Sequence, residues 1–214
     1  MPSLMRNRYD FPFFPPNLTL VTFANGILLS EMSWGIQRSA ESIVATMNAL
    51  QQWNRCPEFI DIGDRNGSIR LRKRGDLYAM RGSISKQLSA DVELRLTGDD
   101  VSILRGTPPA DAASAFELLP VYAATKNSTP AVVTRRIFLR LEEGTSIDTV
   151  RGDIEALDFK IDEVPIHAPH CAWLEPKSGR VDEALTKLDR LRALPLTANV
   201  EPQLLRPRSW KSRP

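Results

Sequence analysis

The sequence predicts an α+β protein built as two small domains, and three observations carry that expectation. After one helical stretch, the first half holds three segments in which apolar and polar residues alternate with period two. From Thr134 onward, strand and helix patterns follow one another in the order β-α-β-β-α-β within about 70 residues. Between the halves lies Ala124 to Ala131, a polar stretch carrying Pro130, of the composition that marks a connection.

The length of 214 residues suits two domains of ordinary size. With 42% apolar and 25% charged residues, the chain has enough apolar material for a core, and disorder is not expected. The 28 basic and 26 acidic residues leave a net charge of +2, too balanced to imply a polyanionic partner. No apolar run reaches the ~20 residues a membrane span requires, so no membrane partner is expected. The opening MPSLMRNRYDFPFFPP breaks any apolar run with Asp10 and prolines. No export signal is expected, which implies a cytoplasmic location, or an extracellular one as part of an exported complex.

Residues 1–16 read as an extended arm, because proline removes donors and biases its predecessor to extended backbone. Residues 17–123 form the expected first domain. Leu18 to Phe23 and Ile27 to Leu29 pair across an Asn25-Gly26 turn. Ser39 caps a helix carrying Ile43, Met47, Leu50 and Trp53 at helical spacing. Ser68 to Lys73, Asp76 to Ile84 and Asp91 to Leu104 read as strands, the last broken by a turn at Gly98-Asp99-Asp100. Gly106 to Ala113 is a loop, and 124–131 is the expected linker.

Residues 132–204 form the expected second domain. Ile137, Leu139 and Leu141 alternate with Phe138 and Arg140 in its first strand. Thr145 or Ser146 caps a helix whose apolar stripe is Ile147, Val150, Ile154 and Leu157, with Asp148 completing a capping-box pattern. Strands follow at Phe159 to Val164 and Cys171 to Leu174. A second helix carries Val181, Ala184, Leu185, Leu188 and Leu191 on one side and ends by Pro195. The last strand covers Ala198 to Val200, with Pro202 as its stop. This order defines a ferredoxin-like sandwich with both helices on one face of a four-stranded sheet. Residues 205–214 read as a basic tail.

Nothing in the chain points to an enzyme. It has no GxSxG elbow, no GxGxxG after a strand, no P-loop and no HExxH, so neither catalytic residues nor a cofactor is expected. His167, His170 and Cys171 lie close in sequence but lack a fourth ligand, and no metal is expected. Cys56 and Cys171 have no ligand or redox spacing and read as inert thiols. The acid pairs Glu142-Glu143 and Asp99-Asp100 sit at turns as solvated loop acids. Arg70, Arg72, Lys73 and Arg74, with Tyr78 and Arg81, could track a phosphate backbone. Alternating charge is also the ordinary solvent side of a sheet, so nucleic acid is not the expected partner. Trp34, Trp53 and Trp173 read as core or interface anchors, and Trp210 lies in a segment without a core to join.

The segment RRIFLRLEEGTSIDTVRGDIEALDFKIDEV resembles the opening of subtilisin-type (subtilase) propeptides, and RVDEALTKLDRLRALPLTANVEPQLLRP is similar to their closing helix and strand. The resemblance spans Thr134 to Pro207 and rests on its spacing, on Leu194-Pro195 and on Val200-Glu201-Pro202. Where that family has a glycine after Leu-Pro, this chain has Leu196-Thr197. No subtilase catalytic motif follows in the sequence.

The resemblance implies a non-enzymatic inhibitor and folding partner of a subtilisin-like serine protease, separately encoded or cut from the same precursor. Docking would use the sheet of the second domain and the strand residues Val200, Glu201 and Pro202. A tail of Leu204, Leu205, Arg206, Pro207, Arg208 and Trp210 would enter the protease cleft, a mode in which an extended segment pairs with a strand edge. The alternative is a ferredoxin-like regulatory or oligomerisation module with no protease partner.

Overall fold

The computed structural model describes residues 47–64, 67–82, 91–109 and 116–207. The chain divides into two compact units, Met1–Arg38 and Ser39–Pro214, and all described residues lie in the second. The expected N-terminal arm, the Leu18 to Leu29 hairpin, the Ser39 cap and Trp34 fall outside the described residues.

Helix α1 covers residues 47–55. The strands are β1 (Phe59–Asp64), β2 (Gly67–Arg81), β3 (Val92–Leu96), β4 (Val101–Arg105), β5 (Glu117–Ala123), β6 (Ala131–Leu141), β7 (Phe159–Glu163), β8 (Cys171–Pro176) and β9 (Thr197–Leu205). A 3-10 turn at Ile147–Val150 leads into α2 (Arg151–Ala156), and α3 (Val181–Thr186) and α4 (Leu188–Arg192) precede β9.

The expected two-domain arrangement with a separate ferredoxin-like sandwich is not what forms. All nine strands among the described residues belong to one antiparallel sheet in the order β3-β4-β2-β5-β6-β8-β7, with β1 on β2 and β9 on β6. The segment read as a linker is the loop joining β5 to β6, which pair with each other through Val121–Val132 and Tyr122–Ala131. Ser128 closes that loop: its N–H donates to the Thr125 carbonyl at 3.2 Å, and its Oγ accepts from the Thr125 N–H at 2.9 Å.

One core serves both halves. Ile60, Leu71 and Val121 share a buried cluster with Leu185, Leu188 and Leu191. Each such side chain contributes about 1.5–3 kcal/mol by leaving water. Separating the halves would expose this shared surface.

The helices are too short to persist alone and are held by packing. Ser146 starts the turn that leads into α2, its Oγ accepting from the Asp148 N–H at 3.3 Å, and Ile147, Val150 and Ile154 face inward. Lys187 sits at the break between α3 and α4, where its Nζ donates to the Leu157 carbonyl and to Asp158 Oδ2, both at 3.1 Å. A cation there satisfies an otherwise free carbonyl at the end of α2. Gly63 lies at φ +116°, and a Cβ there would stand 2.2 Å from the Gly67 carbonyl oxygen, so the end of β1 requires glycine.

Among the described residues, no helix is long and apolar enough to cross a membrane.

Candidate functional site

Strand alternation gives β6 and its neighbours two unlike faces. Ile137, Leu139 and Leu141 point into the core, while Arg136, Phe138 and Arg140 point out. The register sets Phe138 opposite Trp173 on β8 and opposite Glu201 on β9, and Arg140 opposite Cys171 and Asn199. The outer face of β9-β6-β8-β7 therefore gathers Glu201, Phe138, Trp173 and Arg140, none of them covered by the helices.

An aromatic pair forms the centre of this face. The Phe138 and Trp173 rings lie 5.2 Å apart at 57°, a tilted contact worth about 0.5–1.5 kcal/mol beyond area burial. The Arg136 guanidinium stands 4.9 Å from the centroid of the Trp173 ring. Its Nη2 donates to Asp162 at 2.6 Å and to Glu163 at 3.3 Å, while its Nε is buried with no partner among the described residues. Both aromatic rings are half-buried.

A row of alternating charge crosses the sheet beside this pair. Arg81 meets Glu117 at 2.8 Å, Glu117 meets Arg135 at 3.1 Å, Arg135 meets Glu175 at 3.4 Å and Glu175 meets Lys160 at 3.2 Å. The row joins β2, β5, β6, β8 and β7. Glu175 is its most enclosed member, with 13% of its side chain exposed and a cation on each side.

The residues expected to dock divide between core and surface. Val200 and Pro202 turn inward and are buried, so of the three expected docking-strand residues only Glu201 faces outward. Pro202 does not stop the strand: β9 continues through it, with Leu204 opposite Val133 and Leu205 opposite Val132. Leu205 is buried, so Leu204 and Leu205 belong to the sheet rather than to a free tail. Arg206 is exposed and Pro207 half-buried, and Arg208 and Trp210 fall outside the described residues.

The other candidate groups are occupied or dispersed. Arg70 pairs with Asp61 at 2.9 Å, Arg72 with Glu58 at 3.0 Å and Arg74 with Asp76 at 2.7 Å, which neutralises the basic strand as a phosphate track. Among the described residues, no group of three or more His, Cys, Asp or Glu is placed to hold a metal ion. Burial pushes the Cys56 thiol up to about 12, against a smaller opposing pull from Lys73. Burial also raises the Cys171 thiol, opposed by Arg140. Neither sulfur is poised as a thiolate nucleophile.

Sequence reasoning placed Phe138 and Trp173 on strands but did not combine them into one surface. The signal was present: Phe138 occupies an outward position between Arg136 and Arg140, where a solvated face would carry a polar residue.

Comparison with protein-family models, with curated proteins and with solved structures returns no match.

Proposed function

We propose that the protein is a non-enzymatic partner of a subtilisin-like serine protease, docked through the outer face of β9-β6-β8-β7 with the segment after β9 directed to the protease cleft. The observation that carries this reading is the half-exposed Phe138–Trp173 pair with Arg136 stacked on it. Rigid aromatic and arginine side chains on an uncovered face are the residue types that dominate protein interfaces. The face is built from the segment that resembles subtilase propeptides, which is why a protease is named as the partner. On this reading the segment offered to the cleft begins at Arg206, since Leu204 and Leu205 stay in β9.

Inhibition of a purified subtilisin by the full chain tests the reading. The wild type is expected to inhibit, and Trp173→Ala to raise the inhibition constant about tenfold or more while the chain stays folded. Absence of inhibition by the wild type, or an unchanged constant for the variant, would sink it.

The same aromatic pair supports a second reading, an oligomerisation module that buries the face against another copy. Sedimentation of the chain alone separates the two, because only this reading expects a concentration-dependent dimer that Trp173→Ala dissolves.

A further inference from the structure

One end of the β9-β6-β8-β7 part of the sheet carries a group of exposed aliphatic side chains. β8 and β9 both run antiparallel to β6, and β7 runs antiparallel to β8. β6 and β7 therefore finish, and β8 and β9 begin, at the same end. Two connections meet there, residues 164–170 between β7 and β8 and residues 193–196 between α4 and β9. Of the six large apolar residues exposed among the described ones, three lie on these connections: Val164 at 40%, Ile166 at 88% and Leu196 at 40%. Apolar residues scattered singly over a surface are ordinary, whereas a group at one place marks a contact.

The loop that carries Ile166 is held in one shape by the fold itself. The Ala168 N–H donates to the Pro165 carbonyl and the Cys171 N–H to the Ala168 carbonyl, both at 2.9 Å, which closes two successive turns. The Pro169 carbonyl accepts the Ile147 N–H at 3.0 Å and the His170 carbonyl accepts the Leu141 N–H at 2.8 Å. These bonds tie the loop to the 3-10 turn before α2 and to the end of β6. Pro165 and Pro169 fix two φ angles besides. From Val164 to Cys171 the chain has no Asp, Glu, Lys or Arg. A rigid, uncharged loop that holds an isoleucine in solvent loses little freedom when a partner covers it.

Size decides what covers it. An interface of ordinary extent buries roughly 800 Å² on each side, a patch about 30 Å across. The half-buried Phe138–Trp173 pair fills a small part of that. From Phe138 to the end of β6 at Leu141 is about 10 Å, and to Val132 near its other end about 20 Å, at a rise of about 3.3 Å per residue. A partner centred on the aromatic pair therefore reaches the end that carries the loop, which begins beside Glu163, the residue opposite Trp173. The chain beyond β9 leaves from the opposite end, where Leu205 pairs with Val132, so the loop meets such a partner away from its cleft.

We propose that Ile166, supported by Val164, is the specificity anchor of the interface, an apolar plug seated in an uncharged pocket on the protease surface outside the cleft. The inference rests on the protease reading above and names the residue that selects among proteases. A protease whose pocket is filled or carries a charge rejects the plug, because the loop has no group to pair with that charge. Leu196 lies at the rim of the contact: its carbonyl accepts the Glu142 N–H at 2.8 Å, next to the Leu141–His170 bond, so the two connections border each other across the end of β6.

Biolayer interferometry of the full chain with purified subtilisin tests the proposal. The wild type is expected to bind, and Ile166→Ser to dissociate about tenfold faster with its association rate within about twofold. Ile166→Leu, which keeps an apolar plug, is expected to stay within about threefold of the wild type. Since Ile166 is 88% exposed, both variants should keep the urea midpoint of the wild type. Failure of the wild type to bind overturns the protease reading and this inference with it. Wild-type binding that Ile166→Ser leaves unchanged overturns this inference alone, and so does a lowered urea midpoint for Ile166→Ser, which would make Ile166 a structural residue. A self-associated wild type that Ile166→Ser dissolves in sedimentation would overturn it in favour of a second copy.

Discussion

The Leu196 carbonyl accepts the Glu142 N–H at 2.8 Å while Leu196 itself sits at φ 60°, so the turn from α4 into β9 is held in a left-handed conformation by a residue unsuited to it. The bond fixes the start of β9 against the end of β6. A branched aliphatic residue in that region is strained by contact between its Cβ and the backbone. Leu196→Gly relieves the contact, and part of the gain is offset by the greater freedom of glycine in the unfolded chain. Stability is expected to rise by about 0.5 kcal/mol, read as an increased urea midpoint at constant slope. A lowered midpoint would mean that the half-exposed leucine side chain contributes more than its backbone costs.

Leu188 on α4 and Leu71 on β2 belong to one buried cluster although they come from opposite halves of the chain. Leu188→Ala is expected to destabilise by about 2–5 kcal/mol. Amide exchange should accelerate in β2 as well as in α4 and β9, because the halves share a single transition. Faster exchange confined to residues after 131 would restore two independent domains.

Arg74 donates to both carboxylate oxygens of Asp76 at 2.7 Å, which holds that carboxyl at about 2, below its ordinary value near 3.8. A carboxylate depressed in the folded state stabilises fully above its unfolded value and loses that contribution as pH falls through the window from about 4 to 2. Asp76 is largely exposed, so the pair is worth only about 0–1 kcal/mol. Asp76→Asn is expected to lower stability at pH 7 by this amount and to flatten the profile across that window, where the wild type loses the same contribution. An Asp76 side-chain titration by NMR with a midpoint near 3.8 would contradict the pairing.

Cys56, pushed up to about 12 and buried directly after the last turn of α1, is expected to resist alkylation. Treatment with iodoacetamide at pH 8 followed by mass spectrometry should leave both Cys56 and Cys171 unmodified in the folded protein and label both in urea. Rapid labelling of Cys56 without denaturant would contradict its burial in the core.

The second half of the fold was the more legible in sequence, because Ile137, Leu139 and Leu141 alternate cleanly and Ile147, Val150 and Ile154 mark a helix that is buried on one side only. β5 was missed. It lies inside the sheet with a continuous buried run from Leu119 to Ala123, so it has no alternation to read, and Pro120 argues against a strand. The structure accommodates that proline because it lies opposite Tyr78 in a non-bonded pair and turns its missing donor away from β2. With β5 unread, Ala124 to Ala131 passed for a linker, since a hairpin loop and a domain connection share the same polar, proline-bearing composition. Pro202 misled in the same way: an edge position tolerates a proline that a central strand would not. The aromatic outer face was legible residue by residue but not as a surface, since it needs the register of three strands.

β6 touches β5 and β8 along one edge and β9 along the other, with β9 forming its longest ladder. During synthesis the ribosome delivers β5 and β8 before β9. The nascent chain therefore carries β6 with one bare edge until residues 197–205 emerge. Val132, Ile137 and Leu139, completely buried in the finished protein, stay incompletely covered throughout that interval, which gives a chaperone its longest opportunity to bind there. Stalling the chain before Thr197 should hold the protein in that aggregation-prone state, and releasing it a dozen residues later should not.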